Sequence, residues 1–218
     1  MSEIRSGLRH LLANPRVYDS FQYFVGAYAW RKRFVREFVE PVLREREHVI
    51  DIGCGTGDIL QYLPHHVSYV GFDRNAAYIE AARRRFPDRD ACFECESVGP
   101  DSGAKHAKFG IALATGLMHH LNDAEAATLL QAARDSLEDT GRLFLLDPVY
   151  TEGQSRLARY VVSKDRGQNV RTVADSVDLC KTVFDSVEYH VDMSPILIPY
   201  TGIVITCSGK LKAGQSPD

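Results

Sequence analysis

Three glycines at alternate positions, Gly53, Gly55 and Gly57, follow the apolar run HVIDI. Glycine there lets the chain turn sharply and lets a bulky ligand approach the backbone. The spacing is G-x-G-x-G. The dinucleotide fingerprint G-x-G-x-x-G would need its third glycine at the position held by Asp58. Two carboxylates flank the loop: Asp51 lies just before it, and Asp73 closes the next apolar run, YVGFD. A carboxylate at the end of a second strand can accept both hydroxyls of a ribose. Asp73 is equally placed to cap a helix beginning near Asn75, and one residue can serve both needs. Acids in both places leave no provision for a pyrophosphate and favour a nucleoside with a cationic, zwitterionic tail.

Histidines and arginines carry the remaining candidate chemistry. His119 and His120, in GLMHHL, offer a base of the right pKa for proton transfer near neutrality, or a structural hydrogen bond. Asp147 and Tyr150, in LDPVY, close a later apolar run and are further catalytic candidates. Arg159, Arg166 and Arg171 fall in a polar stretch from Thr151 to Val183; they could pair with a carboxylate or phosphate, or lie on helix surfaces. Tyr18, Trp30 and Tyr200 are the aromatic residues placed to wall a substrate pocket.

The apolar periodicity supplies the elements that must position these residues. His48 to Asp51, Tyr69 to Asp73, Ala91 to Cys95, Phe109 to Ala114 and Arg142 to Asp147 read as strands. Gly57 to Leu63, Ala76 to Phe86 and Asp123 to Leu137 read as helices between them. Asn14-Pro15 opens a helix carrying Tyr18, and a second helix covers Ala29 to Glu40. Val187 to Val191 and Gly202 to Ser208 are β-like with no helix between them, which predicts an antiparallel pair at one edge. The fold class is α/β: a Rossmann-like, doubly wound, seven-stranded sheet, mostly parallel with an antiparallel strand at one edge, and helices on both faces. Ligands of such sheets collect at the carboxyl ends of the strands.

With VIDIGCGTG (Val49 to Gly57), VGFD ending at Asp73, the Gly116 to Leu121 run and GRLFLLD ending at Asp147, the chain resembles the class I S-adenosylmethionine-dependent methyltransferases. Its flanking segments resemble a bacterial, small-molecule-type subgroup. The resemblance implies S-adenosylmethionine as cofactor, with S-adenosylhomocysteine as product. Asp51, Gly53, Cys54, Gly55 and Gly57 would line its methionine part and Asp73 would hold the ribose. Arg74, Glu96 and Ser97 would lie at the adenine, and Thr115 would follow the fourth strand beside the cofactor. Gly110 stands where many members carry an aspartate. The family's His-His-Leu run is frequent even where neither histidine acts. The resemblance divides a single domain into lid helices (1–46), cofactor core (47–150), substrate-lid insertion (151–183), final strands (184–210) and a polar tail (211–218).

Composition sets outer bounds. The 218 residues, 44% hydrophobic, can build one sizeable core, and a net charge of −3 gives no global field for nucleic acid. The basic run Arg31-Lys32-Arg33 reads as a solvated helix face. No apolar run is long enough to span a membrane, and five scattered cysteines suit reduced thiols in the cytoplasm. Cys92 and Cys95 lack partners for a metal site, and none is expected. The expected partner is a small-molecule methyl acceptor, which the arginines would suit to an anionic group, and the chain is expected to be a monomer or homodimer. An RNA or protein methyltransferase, and a non-catalytic S-adenosylmethionine-binding protein, are the alternative readings.

Overall fold

The computed structural model describes residues 27–98, 106–164, 167–193 and 199–209. Helix α1 (Ala27–Phe34) runs on through a π turn (Val35–Val39) and a 3₁₀ turn (Glu40–Val42). Then come β1 (His48–Ile52), β2 (Ser68–Phe72), α2 (Ala76–Arg85), β3 (Ala91–Glu94) and β4 (Phe109–Thr115). The second half holds α3 (Asp123–Ser136), β5 (Leu137–Pro148), α4 (Arg156–Ser163), α5 (Val173–Lys181), β6 (Ser186–Asp192) and β7 (Gly202–Ser208). The helix expected after Asn14-Pro15, with Tyr18, lies outside the described residues, as does Arg166. No described helix is long and apolar enough to cross a membrane.

The strands form one sheet in the order β3-β2-β1-β4-β5-β7-β6. β1 to β5 are parallel, and β7 runs against both β5 and β6. The last two strands therefore pair at one edge as expected, with β7 inside and β6 as the edge strand. Strand order reverses between β1 and β4, so a crevice opens at their carboxyl ends.

Burial follows from this layering. β4 is buried at every position but its last, as a parallel strand covered on both faces requires. Alternation along β5 sends Leu143 and Leu145 to a core under α3 and α5, and Phe144 and Leu146 to a core under α1 and α2. Asn122 and Glu125 form a reciprocal capping box at the start of α3, and Asn75 caps α2 through the amides of Ala77 and Tyr78.

Two elements differ from the sequence expectation. Gly57 to Leu63 is not an α-helix: positions 55–59 are turns, and a 3₁₀ helix covers only Leu60–Tyr62. Gly53, Gly55 and Gly57 all have positive φ, which breaks the chain before a helix can nucleate, and Leu63 is extended ahead of Pro64. β5 begins at Leu137 instead of Arg142, with a register irregularity where it meets Phe109 and Ile111. Gly110, where the related family often has an aspartate, leaves the space taken by the buried Glu47 carboxylate, which accepts from the Arg44 amide at 3.1 Å.

Candidate active site

The three loop glycines do different things. Gly53 and Cys54 donate their amides to the Phe72 carbonyl at 2.8 and 2.9 Å, tying the loop to the end of β2. A β-carbon on Gly53 would fall 2.8 Å from the Leu117 side chain, and one on Gly57 would crowd Phe86 and Phe93. At Gly55 a β-carbon would meet nothing within 4 Å, so the loop faces open space there. The Cys54 side chain points away from that space, against Gly71 of β2, and burial pushes its thiol pKa well up. Only its backbone belongs to the loop.

Asp73 binds the loop from the other side. One carboxylate oxygen accepts the Gly55 amide at 3.0 Å and the other the Asn75 amide at 2.8 Å. Asn75 takes the helix cap that Asp73 was equally placed to supply. Arg74 is exposed, Glu96 half-buried and Ser97 exposed, all beyond the ends of β2 and β3. Thr115 is half-buried at the end of β4, before Gly116, whose amide reaches the Leu146 carbonyl at 2.7 Å.

Asp51 is fully buried at the end of β1. One oxygen accepts the Tyr69 hydroxyl at 2.6 Å; among the described residues the other has no hydrogen-bond partner. Burial raises its pKa from 3.8 to about 7. The Tyr69 hydrogen bond lowers it, Asp73 raises it, the Arg31 cation lowers it, and Asp58 raises it further. An orphaned oxygen on a carboxyl poised near neutrality fits a ligand ammonium.

The second cluster lies where β4 and β5 end. His119 Nδ1 is 2.8 Å from Asp147 Oδ1, both residues buried, and the His120 ring sits 4.1 Å from that of His119. Residues 167–171 pack against this segment. Gly167 packs directly on the His119 ring, and the Asn169 amide donates to the His119 carbonyl at 3.0 Å. The Arg171 guanidinium, expected from sequence to meet a substrate anion, donates instead to the Met118 and Leu121 carbonyls at 3.0 and 2.8 Å and to Asp123 at 2.8 Å. Tyr150 donates its amide to the Arg171 carbonyl, and the exposed Arg159 stacks 4.9 Å over the Tyr150 ring. Trp30 and Tyr200 meet edge to face at 6.3 Å, with Trp30 seated against Gly202 of β7.

Sequence reasoning missed a third cluster. Asp58, buried just past the glycines, lies 2.5 Å from Arg85 Nη1 and 3.7 Å from Arg31 Nη1, with the Thr56 and Tyr28 hydroxyls each at 3.4 Å. The signal lay in the spacing: Arg31 stands three and four residues before Phe34 and Val35, which face the core.

A glycine loop between the Asp51 and Asp73 carboxylates, at the switch point of this sheet, is a Rossmann-like arrangement. Residues 50–143 match the family described as methyltransferase domain. Its fold is shared with the methyltransferase SibL in its apo form (TM-score 0.69, 16% identity, 94% of this chain and 60% of that one). It is shared too with a TehB-like methyltransferase from Corynebacterium glutamicum (TM-score 0.59, 18% identity, 83% and 88%). The mitomycin 7-O-methyltransferase MmcR is a third (TM-score 0.64, 15% identity, 89% and 56%). The chain thus spans less than two thirds of SibL and MmcR. No curated protein sequence matches it. Over residues 50–143, less than half of its length, the chain carries a methyltransferase domain, and its fold is that of S-adenosylmethionine-dependent methyltransferases. The orphaned Asp51 oxygen and the open space at Gly55 fit the S-adenosylmethionine that such enzymes use.

Proposed function

We propose that the protein transfers a methyl group to a proton-bearing O, N or C nucleophile of a small-molecule acceptor, an EC 2.1.1 activity, with His119 as base and Asp147 as its positioning residue. The observation that carries this reading is the buried 2.8 Å contact between His119 Nδ1 and Asp147 Oδ1. An ionised carboxylate only accepts, so it holds the hydrogen on Nδ1 and leaves Nε2 as the lone pair that takes a proton. When bound, S-adenosylmethionine supplies an electrophilic methyl on its sulfonium. The chain then has to aim an incoming lone pair, remove its proton and keep water out. Gly167 and Asn169, laid on His119, and the Trp30–Tyr200 pair supply the cover.

A small acceptor is the reading that MmcR supports: its fold is shared by this chain, and it is a mitomycin 7-O-methyltransferase. Five unpaired cysteines suit a reducing compartment and support action in the cytoplasm.

Transfer of labelled methyl from the cofactor to a panel of hydroxyl, amine and carbon acids tests the reading. His119→Gln and His119→Ala should lower turnover by about 10²–10⁴ while S-adenosylhomocysteine affinity stays within about twofold. Equal loss of turnover and affinity would make His119 structural. Labelling of RNA or protein in place of small molecules would overturn the acceptor class.

A further inference from the structure

The sheet ends in two different edges. β3 has four residues, Ala91–Glu94, and a short edge strand resists further pairing. β6 has seven, Ser186–Asp192, and pairs with β7 on one side along its whole length without a register break. Among the described residues no strand lies on its other side. Lysine, proline and bulges, the usual guards of an open edge, are missing from β6. Val187 and Val191 lean on the core under α3 and α5, while Tyr189 between them is 55% exposed. Glu188 and His190 are exposed on the opposite face, where the His190 ring rests 5.8 Å from that of Phe38.

The order of residues decides what such an edge accepts. Laid antiparallel against its own copy about Tyr189, the strand SVEYHVD is self-complementary. Tyr189 meets Tyr189, Glu188 meets His190, and Val187 meets Val191. A two-fold axis through the sheet keeps each face on its own side, so the register can shift only in steps of two residues. One such step sets Glu188 against Glu188 and the other sets Glu188 against Asp192, and acids directly opposite repel. Larger steps leave only a short overlap. The register centred on Tyr189 alone keeps the full strand and pairs acid with histidine.

We propose that β6 pairs antiparallel with β6 of a second copy of this chain about Tyr189, joining two sheets in a closed two-fold dimer. The outward amides and carbonyls of both strands gain partners, and the two Tyr189 rings meet at the axis. On each side of the axis an N–H of the His190 ring donates to the facing Glu188 carboxylate. The ends of the strand add little, since Asp192 already holds Arg33. Pairing consumes the long edge and leaves the short β3 edge outside, so assembly stops at two.

Sedimentation of the full chain over a range of concentrations tests this. Wild type should be a dimer that dissociates on dilution. Tyr189→Lys, at an exposed position, sets two cations at the axis and should weaken dimerisation by at least about 10-fold. Glu188→His sets histidine against histidine and should weaken it by about 3- to 30-fold; adding His190→Glu restores the pair in reverse order and should recover the wild-type dimer. Cysteine substitution reads the register. Tyr189→Cys puts two thiols on residues whose Cα atoms lie about 4.5–5.5 Å apart, inside disulfide range, so oxidised glutathione should link the dimer. Glu188→Cys meets its own copy only on the diagonal, about 7–8 Å away, and should link no more than wild type, whose exposed Cys92 and Cys95 set the background. A wild type that stays monomeric up to its solubility limit, or a dimer indifferent to Tyr189→Lys, overturns the proposal. So does linking through Glu188→Cys in preference to Tyr189→Cys.

Discussion

Replacing Asp51 by asparagine should strengthen the free protein and weaken its hold on the cofactor, with both effects set by pH. The Asp51 pKa rises from 3.8 to about 7 because the group is buried with one donor, Tyr69, and two acidic neighbours, Asp73 and Asp58. A carboxyl held above its unfolded pKa costs nothing at pH below 3.8, where both states are protonated. The cost grows as pH climbs to 7 and is constant above it. At ~1.4 kcal/mol per pH unit the full cost is about 4 kcal/mol, of which about 3 kcal/mol accrues between pH 5 and 8. Asparagine cannot ionise, and its carbonyl can still accept from Tyr69. Urea unfolding of wild type and Asp51→Asn without cofactor should show the variant gaining on wild type by up to about 3 kcal/mol from pH 5 to pH 8. S-adenosylhomocysteine should bind the variant more weakly, and the wild-type affinity should fall below pH 7 while the variant's stays flat. A variant destabilised equally at both pH values would refute the reasoning.

Asp73→Ala should weaken S-adenosylhomocysteine by about 1.5–3 kcal/mol, the range for hydrogen bonds to a charged group, as read by titration calorimetry. A melting temperature taken alongside separates this from slackening of the loop, since Asp73 also holds the Gly55 and Asn75 amides. Gly202→Ala would push a methyl group into the Trp30 ring; chemical denaturation should show a loss of about 1–3 kcal/mol.

What could be read in the sequence was what depends on local order. The strand ends, the glycine loop and Asp73 follow from residue types at short spacings, and the run of strands and helices yields the sheet. Long-range partnerships could not be read. His119 and Asp147 were each candidates, but their pairing joins the ends of two strands. Arg171 looked like an anion partner because nothing in its neighbourhood announces that three acceptors from residues 118–123 already engage it. Arg31 was hidden in a basic run read as one solvated face, although its spacing of three and four residues to Phe34 and Val35 was the signal that it turns inward. The helix expected from Gly57 failed for a local reason: positive φ at three glycines outweighs the helical pattern that follows.

The most direct test of the central claim is isothermal titration of the intact protein with S-adenosylmethionine and S-adenosylhomocysteine against NAD⁺. Micromolar binding of both adenosyl ligands, with no heat from NAD⁺, is the predicted result. Binding of NAD⁺ alone would mean that the G-x-G-x-G loop serves a pyrophosphate, and it would contradict the assignment of Asp51 and Asp73 alike.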